Sequence, residues 1–283
     1  MSALISTRLR RAFGPVELAA LLVLAALILG AAFGPWLIPT DPIAQDIGNM
    51  LLPPGAPGHL LGTDELGRDV LTRLIYGARV ELVVALGASC LAMVLGVTLG
   101  LLGGYLGGIV EMVSMRLVDI ILSFPPFIVA LLFITIYGPG QGTLIVLLGV
   151  MLAPTFARLV YGQTLTVKRL EYVQAAVAFG ASLPTRLFTV VLPNVAVPII
   201  VQFPITMAIA ILTESGLSYL GIGIVPPTPS WGGMVASGQR FVSQDLWLII
   251  IPGTAIVLTV LSFGLLGNAL QYWLDARSAG DRR

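Results

Sequence analysis

Residues 171 to 194 read EYVQAAVAFGASLPTRLFTVVLPN, a segment with small residues, one glycine and two prolines inside a strongly apolar chain. These features predict a helix, a turn and a second helix. Residues 168 to 179 are good helix formers, and Gly180 suits the left-handed backbone that ends many helices. We therefore expect the first helix of a hairpin to stop at Gly180.

The second half of the hairpin has its own start and stop signals. Ser182 can cap a second helix with Pro184 in its first turn, and Pro193 limits the end of that helix. Ala175 and Ala176 leave a small-sided surface on the first helix. Such a surface lets a helix lie close to a groove in a partner protein, although a hairpin can also serve only as a rigid connection.

The composition places the chain in a membrane. Its 283 residues are 57% hydrophobic and 10% charged, and the mean hydropathy is +0.98, values outside the range of soluble globular proteins. The net charge of +1 indicates neither a nucleic acid nor an acidic ligand as a partner. Cys90 and His59 are each the only residue of their type, which excludes a disulfide framework and argues against a metal site.

Six apolar stretches are long enough to cross a bilayer, which needs about 20 residues per helix. They cover residues 16–34, 80–103, 115–137, 143–160, 195–222 and 247–272. An even number of spans puts both termini on the same side of the membrane. We therefore predict an all-α integral membrane protein with six transmembrane helices.

The basic residues assign the two sides. With both termini in the cytoplasm, eleven basic residues lie inside and four outside, as the positive-inside bias requires. The inside set is Arg8, Arg10, Arg11, Arg116, Arg158, Lys168, Arg169, Arg186, Arg277, Arg282 and Arg283, and the outside set is Arg68, Arg73, Arg79 and Arg240. The hairpin is then cytoplasmic, and residues 35–78 are extracytoplasmic. The first apolar run is too long for a signal peptide, so we expect an uncleaved first helix.

Residues 35–78 form the longest predicted outside segment. Its first half is rich in proline and glycine and predicts an ordered loop with little regular structure. In its second half, Thr63 can cap a helix whose first turn holds Asp64 and Glu65. The apolar residues on one face of that helix are Leu66, Val70, Leu71, Leu74 and Ile75. This spacing predicts an amphipathic helix on the outer surface or, alternatively, a docking face for an extracytoplasmic partner.

The second predicted span carries glycines at intervals of four residues. They are Gly96, Gly100, Gly104 and Gly108, with Gly103 and Gly107 in a parallel register. Bare backbone along one face of a helix allows another transmembrane helix to approach closely. The pattern therefore predicts a tight helix–helix contact along this span.

Two acidic residues lie in apolar surroundings, where an ionised carboxylate is costly unless it faces protein or water. Asp119 follows Arg116 by three residues near the inner boundary, which favours an ion pair on the helix surface. Glu214 lies within the fifth predicted span and has three hydroxyl neighbours, Thr213, Ser215 and Ser218. Two roles remain open for Glu214, lining a polar passage or bracing a neighbouring helix.

The chain contains no G-x-x-x-x-G-K-[ST] sequence, which would bind nucleotide phosphates. The glycine-rich GPGQGT at 138–143 lacks the lysine. ATP-driven transport would therefore need another subunit to bind and hydrolyse ATP. Ion-driven transport is the alternative, with Asp119 and Glu214 as the intramembrane proton relays.

The hairpin resembles the coupling loop of ABC importer permeases, whose pattern is E-A-A-x-x-x-G-x9-I-x-L-P. The matching positions are Gln174, Ala175, Ala176, Gly180, Val190, Leu192 and Pro193. The resemblance implies that this loop fits a cleft on a separate ATPase. Gln174 replaces the usual glutamate and Val190 the usual isoleucine, so the resemblance supports a packing role and leaves a charged contact at position 174 open.

Two further stretches narrow the resemblance to the dipeptide, oligopeptide and nickel importers. They are LLGTDELGRDVLTRLIYGAR at 60–79 and ESGLSYLGIGIVPPTPSWGGMV at 214–235. The family implies the type I importer permease fold, with residues 1–79 as a first span with its outside segment. Residues 80–283 would then form a five-span core that contains the coupling loop at 161–194.

The resemblance also implies partners. These are a second permease that is a different chain, two ABC ATPases that bind ATP and Mg, and an extracytoplasmic solute-binding protein. We therefore predict a non-catalytic permease subunit of a multi-pass inner-membrane importer, with no cofactor of its own. Peptides, nickel chelates, opines and oligosaccharides all remain open as substrates.

Overall fold

The computed structural model describes residues 14–38 and 40–280, and in these ranges it is all-helical, with only two isolated β-bridges. The helices are α1 (Pro15–Leu37), α2 (Val70–Leu106), α3 (Gly108–Ser123), α4 (Pro126–Tyr137), α5 (Gln141–Val167), α6 (Glu171–Ala178), α7 (Leu183–Thr185), α8 (Leu192–Tyr219), α9 (Trp231–Gln239) and α10 (Trp247–Gly280). The predicted inside residues Arg8, Arg10, Arg11, Arg282 and Arg283 lie outside the described residues.

Five helical segments of the described chain are long and apolar enough to cross a membrane. They are Pro15–Gly34, Val70–Leu106, Gln141–Val167, Leu183–Tyr219 and Trp247–Leu274. The sixth crossing consists of α3 and α4, which pass the same test together but meet at an angle of 90°. The described helices therefore fit the predicted set of six spans, with one of the six broken.

The third predicted span, 115–137, was wrong as a continuous helix. Phe124 between α3 and α4 has an extended backbone, with φ −95° and ψ 135°. Pro125 and Pro126 follow it, and a residue before proline is pushed out of the helical region. Proline also lacks the N–H that a continuing helix would need. The two prolines therefore break the span.

The fifth span begins earlier than the sequence predicted. α7 continues through a π-helical turn, Arg186–Val191, directly into α8. Pro193 lies in the first turn of α8 and does not end the second helix of the hairpin, so that prediction was wrong. Proline lacks an N–H for the helical hydrogen bonds, and Pro193 lies where the helix changes from π to α spacing. The hairpin is therefore continuous with a membrane span.

The glycine pattern of α2 forms a close contact with α5. A Cβ atom at Gly96 would lie 2.4 Å from the Ala153 carbonyl oxygen, and one at Gly100 would lie 2.5 Å from that of Ala157. Gly104 meets the Thr164 side chain in the same way. Gly107 and Gly108 are exceptions to the prediction, because they lie beyond the end of α2 with φ +72° and +57° and turn the chain into α3.

The apolar core lies among the long helices. One cluster joins α2, α5 and α8, with Val84, Leu148 and Ile211 all at most 1% exposed. A second cluster joins the base of the hairpin to α2 and α5, and a third packs α9 against α1, α2 and α10. The core therefore fixes both the hairpin and α9 relative to the spans.

The predicted amphipathic helix starting at Thr63 was wrong. α2 begins at Val70, its N-cap is Asp69, and it continues without a break to Leu106. The Thr63 hydroxyl instead accepts from the Leu52 N–H at 2.9 Å. Gly67 has φ +73°, and a Cβ atom there would lie 1.7 Å from the Asp46 carbonyl oxygen. This left-handed residue and the close approach of another segment exclude a helix at this point.

Ion pairs hold the LGTDELGRD motif in place of a helix. Asp64 Oδ2 lies 2.6 Å from Arg68 Nε and 3.3 Å from Arg73 Nε, and Glu65 lies 2.9 Å from Arg68 Nη2. The side chains of Asp64, Arg68 and Arg73 are less than 10% exposed. We call residues 40–69 the outer loop. It is held in its fold by charged side chains that are largely shielded from water.

Candidate functional site

The candidate site is the segment 171–194, which we call the coupling hairpin. It follows α5 after a short turn at residues 168–170. Lys168 is the C-cap of α5, and its Nζ donates to the Gly104 carbonyl oxygen at 2.7 Å near the end of α2. A cation at a helix C-terminus satisfies free carbonyl groups and interacts well with the helix dipole. Lys168 therefore ties the base of the hairpin to two spans.

Gly180 ends α6, as the sequence predicted. Its φ is +72°, its N–H donates to Val177 O at 3.0 Å, and the Ala181 N–H donates to Ala176 O at 3.0 Å. These two bonds form a Schellman motif, which satisfies carbonyl groups that the helix end leaves free. The turn of the hairpin therefore depends on a residue that adopts the left-handed region readily.

Ser182 starts the second arm of the hairpin, which confirms its predicted capping role. Its Oγ accepts from the Thr185 N–H at 3.4 Å and lies 2.8 Å from the Thr185 hydroxyl. Pro184 lies in the first turn of α7, also as predicted. Both ends of the turn are therefore fixed by local hydrogen bonds, and its shape needs no contact with the rest of the chain.

The inner face of the hairpin is held by apolar contacts. Val173 is 1% exposed and packs in one cluster with Leu187 and Val191 of the second arm. The same cluster contains Leu101 of α2 and Val160 of α5. Burial of one such side chain contributes about 1.5–3 kcal/mol. The two arms are therefore joined to each other and to the ends of two spans.

The outer face of the hairpin carries apolar side chains in solvent. Phe179 is 90% exposed at the C-cap of α6, and Phe188 is 62% exposed in the π-helical turn. Tyr172 and Val177 are about half exposed. Exposed aromatic groups on a rigid hairpin are typical of a protein–protein contact surface.

The structure places the predicted coupling residues together on this hairpin. Gln174, Ala175, Gly180 and Pro193 are exposed, whereas Ala176, Val190 and Leu192 are half-buried. The Gln174 side chain donates to the Lys168 carbonyl oxygen at 3.3 Å. Gln174, Ala175 and Gly180 lie in or directly after α6, as Phe179 does, whereas Pro193 lies at the start of α8.

Sequence reasoning missed Phe179 and Val173. Val173 lies four residues before Val177, so spacing alone cannot separate the buried member of this pair from the exposed one. Phe179 directly precedes the predicted helix stop, and this position was the available signal. A large apolar side chain at a hairpin turn lies far from the core of its own chain and is free to contact another protein.

Glu214 lies in the interior of the helix bundle. It is 0% exposed, and the Ser218 hydroxyl donates to its Oε1 at 2.6 Å. The neighbouring acid is Glu81 of α2, which is also 0% exposed and interacts directly with Glu214. The neighbours of Glu214 named here belong to helices of the same chain, as bracing requires, and both roles predicted for Glu214 stay predictions.

Glu81 was missed by sequence reasoning. It occurs in RVELVVALG at the start of the second predicted span, where an acid inside an apolar run is itself a signal of protein surroundings. Its Oε1 accepts from the Trp231 N–H at 3.3 Å and from the Ser215 hydroxyl at 3.4 Å. Two acids therefore meet where α2, α8 and α9 join.

Asp119 has different surroundings. Its carboxylate lies 3.0 Å from Arg158 Nη2 on α5, so the predicted partner Arg116 was wrong. The two side chains are 53% and 60% exposed, and exposed pairs of this kind contribute at most about 1 kcal/mol. Asp119 also lines an open cavity with Glu111 and Tyr161, whose hydroxyl donates to the Glu111 carboxylate. The structure therefore does not bring Asp119 and Glu214 into one relay.

Metal chemistry has no support in the part of the chain that the structure describes. Nowhere in this part do three or more histidine, cysteine or acidic side chains lie close enough together to hold a metal ion. The pair formed by Glu81 and Glu214 contributes only two carboxyl groups.

Two family models match the chain. Residues 96–280 match the family described as "Binding-protein-dependent transport system inner membrane component". Residues 15–54 match the family described as "N-terminal TM domain of oligopeptide transport permease C". The first match includes the coupling hairpin and Glu214, and the second includes α1 and the first half of the outer loop.

Curated relatives cover nearly the whole chain. A di/tripeptide transport system permease protein of Pseudomonas aeruginosa is 37% identical over 92% of this chain and 88% of its own length. Dipeptide transport system permease proteins of Bacillus subtilis and Escherichia coli are each 40% identical, over 93% and 87% of this chain and 82% and 84% of their own lengths. These similarities support an ABC importer permease rather than an ion-coupled carrier.

One solved structure has the same fold. It is an inward-facing form of the MetNI methionine ABC transporter, with a TM-score of 0.57 and 18% identity over 69% of this chain and 93% of the matched chain. At this identity the match shows the fold alone, which is that of a type I importer permease.

Proposed function

Since this chain belongs to the family of binding-protein-dependent transport system inner membrane components, we propose that it forms half of an import pathway for short peptides and couples to separate ATPase subunits through its hairpin. It is a permease subunit of an ABC importer and a multi-pass protein of the bacterial inner membrane. The observation that carries the coupling proposal is the rigid hairpin with an almost fully exposed Phe179.

The proposed partners follow from this role. One permease chain supplies half of a pathway, so a second permease, a different chain, supplies the other half. Two ATPases bind ATP and Mg²⁺ below the hairpins, because this chain has no phosphate-binding loop of its own. A solute-binding protein delivers the substrate from outside, in keeping with the description of the family.

The proposed substrates are dipeptides and tripeptides. The support is the dipeptide or di/tripeptide transport carried in the names of relatives from three bacteria, which are 37–40% identical to this chain over the aligned residues. Uptake of a labelled dipeptide by cells that express the complete transporter tests this part of the proposal. Uptake should disappear when the gene for this chain is deleted and return when the gene is restored.

The hairpin suits docking for a physical reason. Its turn is closed by hydrogen bonds within residues 176–185, and its base is fixed by Val173 and Lys168. A preorganised segment loses little conformational freedom on binding, so more of the contact energy contributes to affinity. Movement of the ATPases can also be transmitted directly to α8, because the second arm is continuous with that span.

Gly180→Val tests the coupling proposal. A side chain in the left-handed region costs roughly 1–2 kcal/mol, and a distorted turn would lift Phe179 from its partner. We expect the variant to insert in the membrane but to retain at least about tenfold less ATPase, since about 1.4 kcal/mol corresponds to a factor of ten. The measurement is ATPase retained on purified complexes, together with peptide uptake in cells.

Two control variants separate the causes. Gly58→Val in the outer loop places the same side chain at φ +82° with nothing within 4 Å of its Cβ, and it should retain ATPase normally. Gly180→Asn should behave almost as the parent, because asparagine tolerates the left-handed region. Normal ATPase retention and uptake in Gly180→Val would contradict the coupling proposal, whatever the substrate is.

A further inference from the structure

Two buried acids, Glu81 of α2 and Glu214 of α8, meet at the start of α9. Both are 0% exposed, and their carboxyl groups lie within hydrogen-bonding reach of each other. α9 begins at Trp231, whose N–H donates to Glu81 Oε1 at 3.3 Å. Three helices that are distant in sequence therefore converge on a single pair of carboxyl groups.

The hydrogen bonds around the pair leave one oxygen free on each carboxyl group. Glu81 Oε1 accepts from Trp231 and Ser215, and Glu214 Oε1 accepts from Ser218. The Ser218 oxygen in turn accepts from the Ile224 N–H at 2.8 Å, so its own hydrogen is available to Glu214. The remaining oxygens, Glu81 Oε2 and Glu214 Oε2, are buried and have no partner.

One proton satisfies both free oxygens. Two ionised carboxylates in contact repel each other, and each buried oxygen without a partner destabilises the folded chain. We propose that Glu81 and Glu214 form a proton-binding site in which the two carboxyl groups share a single proton between their free oxygens. The pair then holds one negative charge and joins α2, α8 and α9 by a continuous set of hydrogen bonds.

The surroundings suit one negative charge on the pair. The Glu81 carboxyl group accepts from the Trp231 N–H at the N-terminus of α9, where free N–H groups and the helix dipole favour an anion. Apart from Glu214 itself and Tyr219, α8 and α9 contain no ionisable side chain. On α2, Arg73 is paired with Asp64 and Arg79 is exposed, so neither is available to neutralise the pair.

A metal cation fits this site less well than a proton. A hard cation such as Ca²⁺ takes six or more oxygen ligands, and the pair offers two oxygens that lack a partner. Nor does the described chain bring a third acidic, histidine or cysteine side chain to the pair. The geometry therefore commits the site to a proton.

The site acts by positioning α9. The Trp231 indole Nε1 donates to the Leu74 carbonyl oxygen at 2.9 Å, and a Cβ atom at Gly232 would lie 2.0 Å from the Ser215 carbonyl oxygen. The first turn of α9 thus lies directly against α2 and α8, with Glu81 receiving its first N–H. Loss of the shared proton would place a second charge in this dry junction and separate the helices.

Infrared spectroscopy detects the proton. The sample is the full-length chain in native-lipid nanodiscs, with the subunits that co-purify. We expect a deuterium-sensitive band of one protonated carboxyl group. Glu81→Gln and Glu214→Gln should each remove the whole band, because an amide nitrogen replaces the acid as the donor. Asp41→Asn, an exposed acid of the outer loop, should leave it unchanged.

Thermal unfolding of the same variants tests the geometry. Each single glutamine variant should lower the melting temperature slightly, because carbonyl and amide groups still complement the remaining acid. The double variant should lower the melting temperature by more than the sum of the two single changes, since both amide nitrogens would then face each other. Four results would each overturn the shared proton. In the infrared spectra they are a parent without the band and single variants that each remove half of it. In thermal unfolding they are additive losses of melting temperature and a stabilisation of the parent by Na⁺ or Ca²⁺ that Glu81→Gln abolishes.

Discussion

The outer loop and the coupling hairpin differ in which side chains they bury and which they expose. The outer loop satisfies its charged groups internally, with Asp64, Arg68 and Arg73 paired and nearly buried. The hairpin closes its turn with backbone bonds and leaves Phe179 and Phe188 in solvent. The difference indicates that the loop preserves its own shape, whereas the hairpin keeps its contacts for a partner.

Two glycines show the same contrast between the outer loop and the hairpin. Gly67 and Gly180 have nearly identical φ values, +73° and +72°. A Cβ atom at Gly67 would collide with the Asp46 carbonyl oxygen, whereas one at Gly180 would meet nothing within 4 Å. Gly67 is therefore required by conformation and by close packing, and Gly180 by conformation alone. The space beside Gly180 is open.

The largest effect is expected for Asp64→Asn in the outer loop. The variant keeps the side-chain oxygen that accepts from the Leu66 and Arg68 N–H groups, but it removes the charge that faces two buried arginines. Breaking a buried pair in this way costs about 3–5 kcal/mol. We expect a large fall in melting temperature, measured by thermal unfolding of the purified protein.

Asp119→Asn is the matched control for that change. It removes one charge from an ion pair whose side chains are more than half exposed, so it should cost less than about 1 kcal/mol. Equal losses for the two variants would show that the outer loop is not held by its buried charges, and the contrast with the hairpin would then fail.

Phe179→Ala should have the next largest effect, and on binding rather than on stability. A truncated aromatic anchor typically costs an interface more than 1 kcal/mol, so retained ATPase should fall about tenfold. The melting temperature should not change, because the side chain is 90% exposed. Leu60→Ala, at a 68% exposed position in the outer loop, is the control and should retain ATPase. Equal retention in both variants would remove Phe179 from the docking surface.

Local signals predicted local structure well. The stop at Gly180 and the cap at Ser182 depend on neighbours within a few residues, and the structure confirms them. Five of the six apolar stretches lie in single long helices, and the third is broken into two. The matched family confirms the importer resemblance. The small-residue pattern at Gly96, Gly100 and Gly104 predicted a packing surface, but it could not name α5 as the partner.

The broken third span has a local cause in Pro125 and Pro126, but three other errors share one physical cause, which is contact between distant segments. The helix predicted from Thr63 is excluded because Gly67 lies against the Asp46 backbone. Asp119 pairs with Arg158 of α5 and not with its neighbour Arg116. Glu81 was overlooked because its importance comes from Glu214, 133 residues later in the sequence. Helical spacing in a single sequence carries no information about such partners.

A smaller effect concerns pH and the outer loop. Burial by itself raises the pKa of Asp69, but hydrogen bonds from His59 and Thr72 outweigh burial and hold that pKa below its ordinary value. Its contribution to stability is therefore present above the ordinary aspartate pKa of about 3.9 and is lost as the pH falls through the lower, folded-state value. Asp69→Asn keeps an acceptor for the α2 cap, so its melting temperature should fall less steeply in acid than that of the parent. Parallel curves would contradict the assignment.

The smallest effect is expected at Gln174, on the exposed side of the hairpin. Gln174→Glu restores the usual residue of the family pattern but loses the donor that contacts the Lys168 carbonyl oxygen at 3.3 Å. Water can replace that exposed bond, and a negative charge near the start of α6 is favourable by a few tenths of a kcal/mol, so the two changes nearly cancel. We expect ATPase retention and uptake equal to those of the parent. Gln174→Ala, which has neither a side-chain donor nor a charge, is the reference. A gain in ATPase retention for glutamate over alanine would show a charged contact with the ATPase, and a loss would show that the docking surface there disfavours an anion.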